Sequence, residues 1–290
     1  MSDKPTTLPP PEARADWTID QAWDRYTAEE HQVWMRLYER QRDLLPGRAC
    51  DAFLRGLDAL DLHRSGVPDF ERINPELNRM TGWSVVAVPG LVPDAVFFDH
   101  LAHRRFPAGR FVRGSDQLDY LEEPDVFHDV FGHVPMLTDP VFADYMQAYG
   151  MGGLRALHQG QLHNLARLYW YTVEFGLLAT AEGLRIYGAG IVSSFAETQF
   201  ALEDPSPNRI GFDLERVMRT RYRIDDFQQL YVATPSLQAL LDATLTDFGP
   251  LYQRLRDLPD LAVDEILPSD RVLTRGTQAY ARAGGRLGRV

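Results

Sequence analysis

Hydrophobic residues recur at the spacing of an amphipathic α-helix over several stretches of this chain. One such pattern begins near Ile19 and continues until Pro46 and Gly47, residue types that commonly end helices. Shorter helical patterns follow in AFLRGLDALDL and PELNRMTGW, and a later one, SLQALLDATLTDFGPLYQRL, is interrupted near Gly249. The pattern therefore predicts a chain built mainly from amphipathic helices.

Strand signals are fewer and shorter. The strongest is WSVVAVPGLV, a β-branched run that Pro89 and Gly90 close. Residues 93–200 combine many aromatic side chains with helical spacing, and residues 208–234 mix helix and short-strand signals. Because no internal repeat and no long linker divides the chain, the sequence predicts one mostly α domain with a few short strands.

The two ends of the chain differ in composition from the middle. Residues 1–14 are polar and rich in proline, which predicts a disordered N-terminal arm. Residues 271–290 contain five arginines, no acidic residue and the pair Gly284-Gly285, which predicts a loosely held basic tail. The predicted folded domain therefore covers residues 15–270.

Composition narrows the choice of partners and compartment. The formal net charge of −11 disfavours binding to nucleic acid or to an anionic membrane surface. A single cysteine, Cys50, permits no internal disulfide and suits a reducing compartment. No apolar run approaches the roughly 20 residues that span a bilayer, and the N-terminus has no signal-peptide pattern. We therefore expect a cytoplasmic protein.

Two of the eight histidines are more informative than the rest. His128 and His133 lie in EEPDVFHDVFGHVP, where acidic residues and Pro124 predict a helix start. Residues five apart on an α-helix are rotated by about 140°, so a straight α-helix could not aim both at one metal ion. We expect the helix to end at Gly132, so that a turn brings His133 back. The remaining histidines carry no metal-site signal and are His31, His63, His100, His103, His158 and His163, the last two expected in a loop.

A third ligand is offered by Glu174. It lies in LARLYWYTVEFGLLA, an apolar helical pattern with one other charge, Arg167. A buried carboxylate must be neutral, paired or bound to metal. Arg167 lies about 10 Å away along a helix, so a direct pair is disfavoured, although another arginine could take that role. Two histidines and one carboxylate form the facial triad of non-haem iron(II) oxygenases, and zinc accepts the same ligands.

Other catalytic templates are absent from the sequence. The chain contains no GxxxxGK[ST], no GxSxG and no CxxC. The glycine-containing stretch YGAGIVSSF does not match the dinucleotide-binding fingerprint. Nucleotide hydrolysis, serine esterase chemistry and a thioredoxin-like redox function therefore have no support.

Taken together, these segments resemble the aromatic amino acid hydroxylases, and most closely their bacterial members. The resemblance covers about residues 15–255. Long motifs in the family's order carry it: VPGLVPDAVFF, EEPDVFHDVFGHVPMLTDPVFADY, ARLYWYTVEFGL, RIYGAGIVSSFAE and SPNRIGFDLERVMRTRYRIDDFQ. It implies a mostly helical catalytic domain over residues 15–270, with iron(II) bound by His128, His133 and Glu174.

The resemblance also implies positions for the two organic ligands. The positions that match the tetrahydropterin site are Gly90, Leu91, Val92, Phe97, Asp129, Ala166 and Tyr169. The positions that match the site of the amino acid substrate are Arg113, Pro124, Trp170 and Ser193. Arg113 would grip the substrate carboxylate, and Ser193 would support the orientation of His128. Two positions depart from relatives: Asp129 replaces a glutamate found outside bacteria, and Leu121 replaces a threonine of the animal enzymes.

The activity that the resemblance implies converts L-phenylalanine, O₂ and tetrahydropterin into L-tyrosine and 4a-hydroxytetrahydropterin through an Fe(IV)-oxo intermediate. Tryptophan or tyrosine hydroxylation at the same site is an alternative, and a zinc hydrolase or a metal-bound binding module is a more distant one. The chain shows neither the regulatory domain nor the heptad segment of animal relatives. We therefore expect a monomer without amino acid allostery.

Overall fold

Helices dominate the computed structural model, which describes residues 8–62, 66–119 and 123–285. Two π-helices (Phe127–His133 and Trp170–Glu174) and two 3-10 helices (Trp23–Arg25 and Val134–Thr138) accompany the α-helices. The predicted mostly α domain is confirmed. The α-helices of the described residues are α1 (Ala28–Leu44), α2 (Asp51–Leu60), α3 (Phe70–Thr81), α4 (Asp94–Ala102), α5 (Pro140–Gln159), α6 (Leu162–Tyr169), α7 (Ala189–Val192), α8 (Phe195–Glu203), α9 (Leu214–Arg219), α10 (Leu237–Thr244), α11 (Gly249–Asp257) and α12 (Ala279–Arg282).

The strands form two small sheets. The strand predicted in WSVVAVPGLV is confirmed as β1, and it pairs in parallel with β2. The larger sheet has the order β4-β3-β6-β5-β7, in which β3, β6 and β5 run parallel while β4 and β7 are antiparallel edges. The strands are β1 (Ser84–Val88), β2 (Arg105–Gly109), β3 (Gly176–Thr180), β4 (Gly183–Ile186), β5 (Asn208–Gly211), β6 (Leu230–Thr234) and β7 (Val272–Thr274).

Helix α1 illustrates how the sequence pattern becomes packing. Thr27 and Glu30 form a capping box that satisfies backbone N–H groups at the start of the helix. The residues that α1 buries recur at helical spacing and are Val33, Trp34, Leu37, Tyr38 and Gln41. One of them, Trp34, packs edge-on against Phe127 of the first π-helix, with ring centroids 5.1 Å apart. The amphipathic face predicted from the sequence thus supports the segment that carries both candidate metal-binding histidines.

Helix α5 lies close to α4 because glycines line the contact. A Cβ atom at Gly150 would meet the backbone of Ala102 at 2.5 Å, and one at Gly153 would overlap the ring of Phe98. On another face of α5, the hydroxyl of Tyr145 lies 2.8 Å from that of Thr172 in the second π-helix. Helix α5 therefore packs on α4 at one face and contacts the segment that ends at Glu174 at another.

The C-terminal segment is more ordered than its composition predicts. Within residues 271–285, β7 joins the edge of the larger sheet, and Gly211 N donates to Arg271 O at 2.8 Å. In α12, the Tyr280 hydroxyl donates to Asp226 at 2.9 Å, and the ring packs 5.3 Å from that of Phe227. The expectation of a loosely held tail is therefore wrong for residues 271–285. Composition does not reveal that β7 can pair with the edge strand β5, and this pairing orders the segment. Residues 286–290 lie outside the described part.

The N-terminal arm is described from residue 8 onward. Residues 8–14 form turns without a regular helix or strand, and most of their side chains are exposed. Residues 1–7 lie outside the described part. Among the helices of the described residues, none combines the length and the apolar character that a bilayer crossing needs.

Candidate metal centre and its pocket

His128 and His133 lie side by side because a π-helix carries them. Their Nε2 atoms are 3.3 Å apart. Residues Phe127–His133 form the π-helix, and a 3-10 helix follows directly from Val134. In a π-helix the hydrogen bonds close five residues apart, so side chains at that spacing lie one above the other. The expected helix end and turn at Gly132 are therefore wrong, because a wider helical turn achieves the same approach.

The carboxylate of Glu174 completes the group. Glu174 ends the second π-helix, and its oxygens lie 3.2 Å from His133 Nε2 and 3.6 Å from His128 Nε2. The three ligand atoms all lie within 4.8 Å of one another. Atoms that share one ion at about 2.1 Å are about 3 Å apart when their bonds meet at right angles. The spacing therefore fits one metal ion held on one side by three ligands.

The charge state of the trio also suits a divalent cation. Burial lowers the pKa of His128 to about 4, so its imidazole is neutral at neutral pH. Burial alone would raise the pKa of Glu174, but the two neighbouring histidines lower it below its usual value. A carboxylate beside the neutral imidazole of His128 calls for a positive partner. The donor set of two nitrogens and one oxygen accepts iron(II), with positions left open on the other side.

Ser193 determines which nitrogen of His128 faces the metal site. The Ser193 hydroxyl donates to Ala189 O at 2.7 Å, and its oxygen lies 3.0 Å from His128 Nδ1. Because the only hydroxyl proton is used on Ala189, Ser193 accepts the proton of His128 Nδ1–H. His128 Nε2 is then unprotonated and directed at the ligand group. Ser193, for which the resemblance implies both a place at the substrate site and support of His128, therefore contacts the His128 ring directly.

The alternative ion pair between Arg167 and Glu174 does not form. Arg167 instead binds Asp260 with two hydrogen bonds of 2.7 Å, and it also donates to the backbone at Met218. Asp260 lies 93 residues from Arg167 in the chain, so local spacing gave no sign of the pair. Because Arg167 binds Asp260, it does not pair with Glu174, whose carboxylate lies beside the two histidines.

Arg113 is fixed at the wall of the site by a buried ion pair. Its Nε and Nη2 donate to the two oxygens of Asp125 at 2.9 and 2.8 Å. The Asp125 side chain is 0% exposed and that of Arg113 is 8% exposed. Burial alone would raise the pKa of Asp125, but the hydrogen bonds and charge of Arg113 lower it. Arg113 Nη1 makes no hydrogen bond to a residue that the structure describes.

A cavity of about 380 Å³ joins these groups. It reaches His128 and Glu174 at the metal centre and Arg113 at its side. Pro124, Trp170 and Ser193 also line it, so the structure brings all four predicted substrate positions to one cavity. The lining residues that sequence reasoning missed are Leu118, Asp119, Glu123, Phe175, Gly190, Ser194, Glu197, Ile224, Asp226 and Gln228.

Two of the predicted pterin positions, Phe97 and Tyr169, form a chain of ring contacts that reaches His133. The Phe97 ring packs edge-on against Tyr169 at 5.9 Å, and the Tyr169 ring lies parallel to that of His133 at 6.2 Å. Gly90 approaches the site from the loop after β1, since a Cβ there would lie 3.4 Å from the Glu123 carboxylate. The other positions on this side are Leu91, which is exposed, and Val92 and Ala166, which are half-buried.

Asp129 sits between these groups and β2. Its carboxylate accepts a hydrogen bond of 2.7 Å from Gly109 N. Burial raises the pKa of Asp129, and the hydrogen bond from Gly109 lowers it by a smaller amount, so that the pKa is about 7. Asp129 therefore offers a carboxyl group that can carry a proton near neutral pH. Leu121, the other departure from relatives, lies outside the described residues.

The other histidines serve the fold or the surface. His100 is buried, and its Nε2 lies 2.8 Å from Asp16 O, whereas His31 Nδ1 accepts from Val67 N at 3.2 Å. His158 and His163 lie on α5 and α6, so the expected loop is wrong; only Gly160 and Gln161 separate the two helices. His63 lies outside the described residues. A larger cleft of about 680 Å³ near the N-terminal segment contains none of the candidate site residues.

A family model matches most of the chain. Residues 21–254 match the model of the biopterin-dependent aromatic amino acid hydroxylases. A phenylalanine-4-hydroxylase of Caulobacter vibrioides is 74% identical over 279 residues, which cover 96% of this chain and 95% of that protein. The sequence similarity therefore extends well beyond the segments around the metal ligands.

Solved structures show the same architecture. The cobalt-bound phenylalanine hydroxylase of Chromobacterium violaceum superposes with a TM-score of 0.88 at 56% identity, over 90% of this chain and 95% of that one. The form of the same enzyme with iron and phenylalanine bound gives a TM-score of 0.87 at 55% identity, over 90% and 96% of the two chains. The fold described above is thus that of an enzyme that binds both a metal and an aromatic amino acid.

Proposed function

Because this chain belongs to the biopterin-dependent aromatic amino acid hydroxylases, we propose that it converts L-phenylalanine to L-tyrosine with O₂ and a tetrahydropterin at an iron(II) centre. The observation that carries the proposal is the close grouping of His128, His133 and Glu174, two of which line an amino-acid-sized cavity. Three ligands on one side of the ion leave positions for other molecules.

The iron would be held by His128 Nε2, His133 Nε2 and a Glu174 oxygen. The pterin would lie along Gly90, Leu91, Val92, Phe97, Asp129, Ala166 and Tyr169. When bound, iron and reduced pterin supply the activation of O₂ that side chains cannot. Phe97 and Tyr169 would offer ring surfaces to a planar ligand. Asp129 can donate or accept a hydrogen bond near neutral pH, because the pKa of its carboxyl is about 7.

The substrate would lie in the 380 Å³ cavity with its ring directed at the metal centre. Arg113 would bind the carboxylate from the edge that Asp125 leaves available, while Asp125 keeps the guanidinium from turning. Trp170 and Pro124 would contact the aromatic ring. These walls hold the substrate in one orientation and exclude water from the reacting carbon. The monomeric state and the cytoplasmic location stay predictions.

Product analysis tests the proposal directly. Iron(II)-loaded protein is incubated with L-phenylalanine in air, with and without a tetrahydropterin, and again without O₂. We expect tyrosine only when pterin and O₂ are both present. Turnover of tryptophan or tyrosine in place of phenylalanine would change the substrate within the family, and no hydroxylation by folded, iron-loaded protein would overturn the proposal. Product formed without O₂ and pterin would point to hydrolysis instead.

A further inference from the structure

One wall of the substrate cavity is held by a buried amide from a distant part of the chain. Trp170 Nε1 donates a hydrogen bond of 2.9 Å to Gln228 Oε1. The two residues are 58 positions apart, and Gln228 is 3% exposed. Both line the cavity that ends at the metal centre. The hydrogen bond therefore links the second π-helix to the loop that precedes β6.

The orientation of the Gln228 amide is determined by its other hydrogen bonds. Nε2 donates to Arg223 O at 2.9 Å and to Asp226 O at 3.3 Å. If the amide were turned over, its oxygen would face two carbonyl oxygens and its nitrogen would face the indole N–H. Both contacts would then be unfavourable, so Oε1 has one stable direction, toward Trp170. The amide is a fixed acceptor rather than an adaptable one.

The indole is also confined on its faces. Its ring is stacked on Tyr222, with centroids 4.4 Å apart and an interplanar angle of 17°, and Phe175 packs against it at 4.8 Å. Stacking allows a ring to slide or rotate in its own plane, whereas a hydrogen bond at one edge prevents that rotation. Tyr222 and Gln228 come from the same segment, so one loop fixes both the plane and the rotation of Trp170.

We infer that Gln228 is a positioning residue for the aromatic substrate, acting through the indole of Trp170. The inference rests on the proposed function, in which Trp170 contacts the substrate ring. Without Gln228, the half-buried indole N–H would lose its partner and turn toward water or into the cavity. The wall would then no longer hold the substrate ring at one distance from the metal centre.

The test replaces Gln228 with methionine, which has a similar length and no hydrogen-bonding amide. We expect Q228M to raise the phenylalanine KM about tenfold, equivalent to about 1.4 kcal/mol. The yield of tyrosine per pterin oxidised should fall as well, because a poorly placed ring intercepts less of the activated oxygen. Phenylalanine affinity, measured by quenching of tryptophan emission, should fall by a similar factor without any turnover.

The neighbouring residue provides a matched control. The side chain of Gln229 makes no hydrogen bond to a residue that the structure describes, so Q229M should leave KM, yield and affinity within about twofold of wild type. Combining Q228M with W170F tests whether the effect of Gln228 on KM passes through the indole N–H of Trp170. Phenylalanine lacks the N–H, so Q228M should change KM by less than about twofold in W170F. An effect of Q228M that keeps its full size in W170F, or no effect in the wild-type background, would overturn the inference.

Misfolding of the variant and inactivity of the wild-type protein lead to different conclusions. If Q228M does not fold, as judged by circular dichroism, Q228L replaces it in the same cycle; failure of both to fold while Q229M folds would make Gln228 a residue of the fold and overturn the inference. If wild-type protein forms no tyrosine, the proposed function fails. The affinity measurements would then still decide whether Gln228 acts through Trp170.

Discussion

Asp125 holds the guanidinium of Arg113 with two parallel hydrogen bonds, and both side chains are buried beside the metal centre. We expect Asp125→Asn to lower the free energy of unfolding by about 3–5 kcal/mol, because it leaves a buried charge without its partner. It should also raise the phenylalanine KM. Urea unfolding and steady-state kinetics measure the two effects. Glu76→Gln, in an exposed pair with Arg79, is the control and should cause no measurable change.

Glu174 is the candidate ligand with the clearest expected phenotype. We expect Glu174→Gln to lose tight iron binding and hydroxylation while keeping the fold, since the amide has nearly the same shape but no negative charge. Loss of an outer hydrogen-bonding partner of a metal site already costs about 10–100-fold, so activity should fall by more than about 100-fold. Iron content after desalting, circular dichroism and tyrosine formation check this. Normal turnover by the variant would remove Glu174 from the ligand set.

Ser193 should affect iron affinity without touching iron. Removing its hydroxyl takes away the acceptor that keeps a proton on His128 Nδ1. We expect Ser193→Ala to weaken iron(II) binding by about 10–100-fold. Ser194→Ala removes the cap of α8 and should lower stability by about 1 kcal/mol while iron affinity stays unchanged. Titration with a competing chelator separates the two variants, and equal iron affinities would contradict the role given to Ser193.

Gly132 allows the first π-helix to contact the first residue of α7, Ala189. A Cβ atom there would lie 3.0 Å from Ala189 O and 3.2 Å from Ala189 Cβ. We expect Gly132→Ala to cost about 1–3 kcal/mol and to weaken iron binding, because the π-helix that carries both histidines must shift. Gly152→Ala, in α5, is the control, because the nearest atom to the added Cβ would be Arg155 Nη2 at 3.9 Å. That variant should be neutral or more stable in thermal unfolding.

The ion pair of Arg167 and Asp260 gives a pH-dependent prediction. The hydrogen bonds from Arg167 lower the pKa of Asp260. A carboxyl group with a lowered folded-state pKa stabilises the fold above its ordinary pKa of about 4, and this contribution is lost as pH falls through the folded value. Because Asp260 is half-exposed, we expect Asp260→Asn to cost about 1 kcal/mol at pH 7. Urea unfolding of iron-free protein should show a smaller difference near pH 3, and a constant difference would exclude the charge as its source.

Much of the site could be predicted because its signals are local. Residue type, the apolar surroundings of Glu174 and motif order indicate His128, His133 and Glu174, and the structure places the three together. The strand around residue 86 and helix α1 followed from hydrophobic spacing alone. The signal around each of these residues and elements lies in its own stretch of sequence, which a pattern along the chain can reveal.

By itself, the sequence determined the mostly α class, the family and the residue types at the metal centre. Tertiary structure alone decided the π-helix that carries His128 and His133, in which Gly132 packs closely against Ala189. It also decided that Arg167 pairs with Asp260 and that Trp170 donates a hydrogen bond to Gln228. The packing of residue 280 against the core was decided in the same way. These contacts join residues 50 or more positions apart, and their free energy exists only once the chain has brought the partners together.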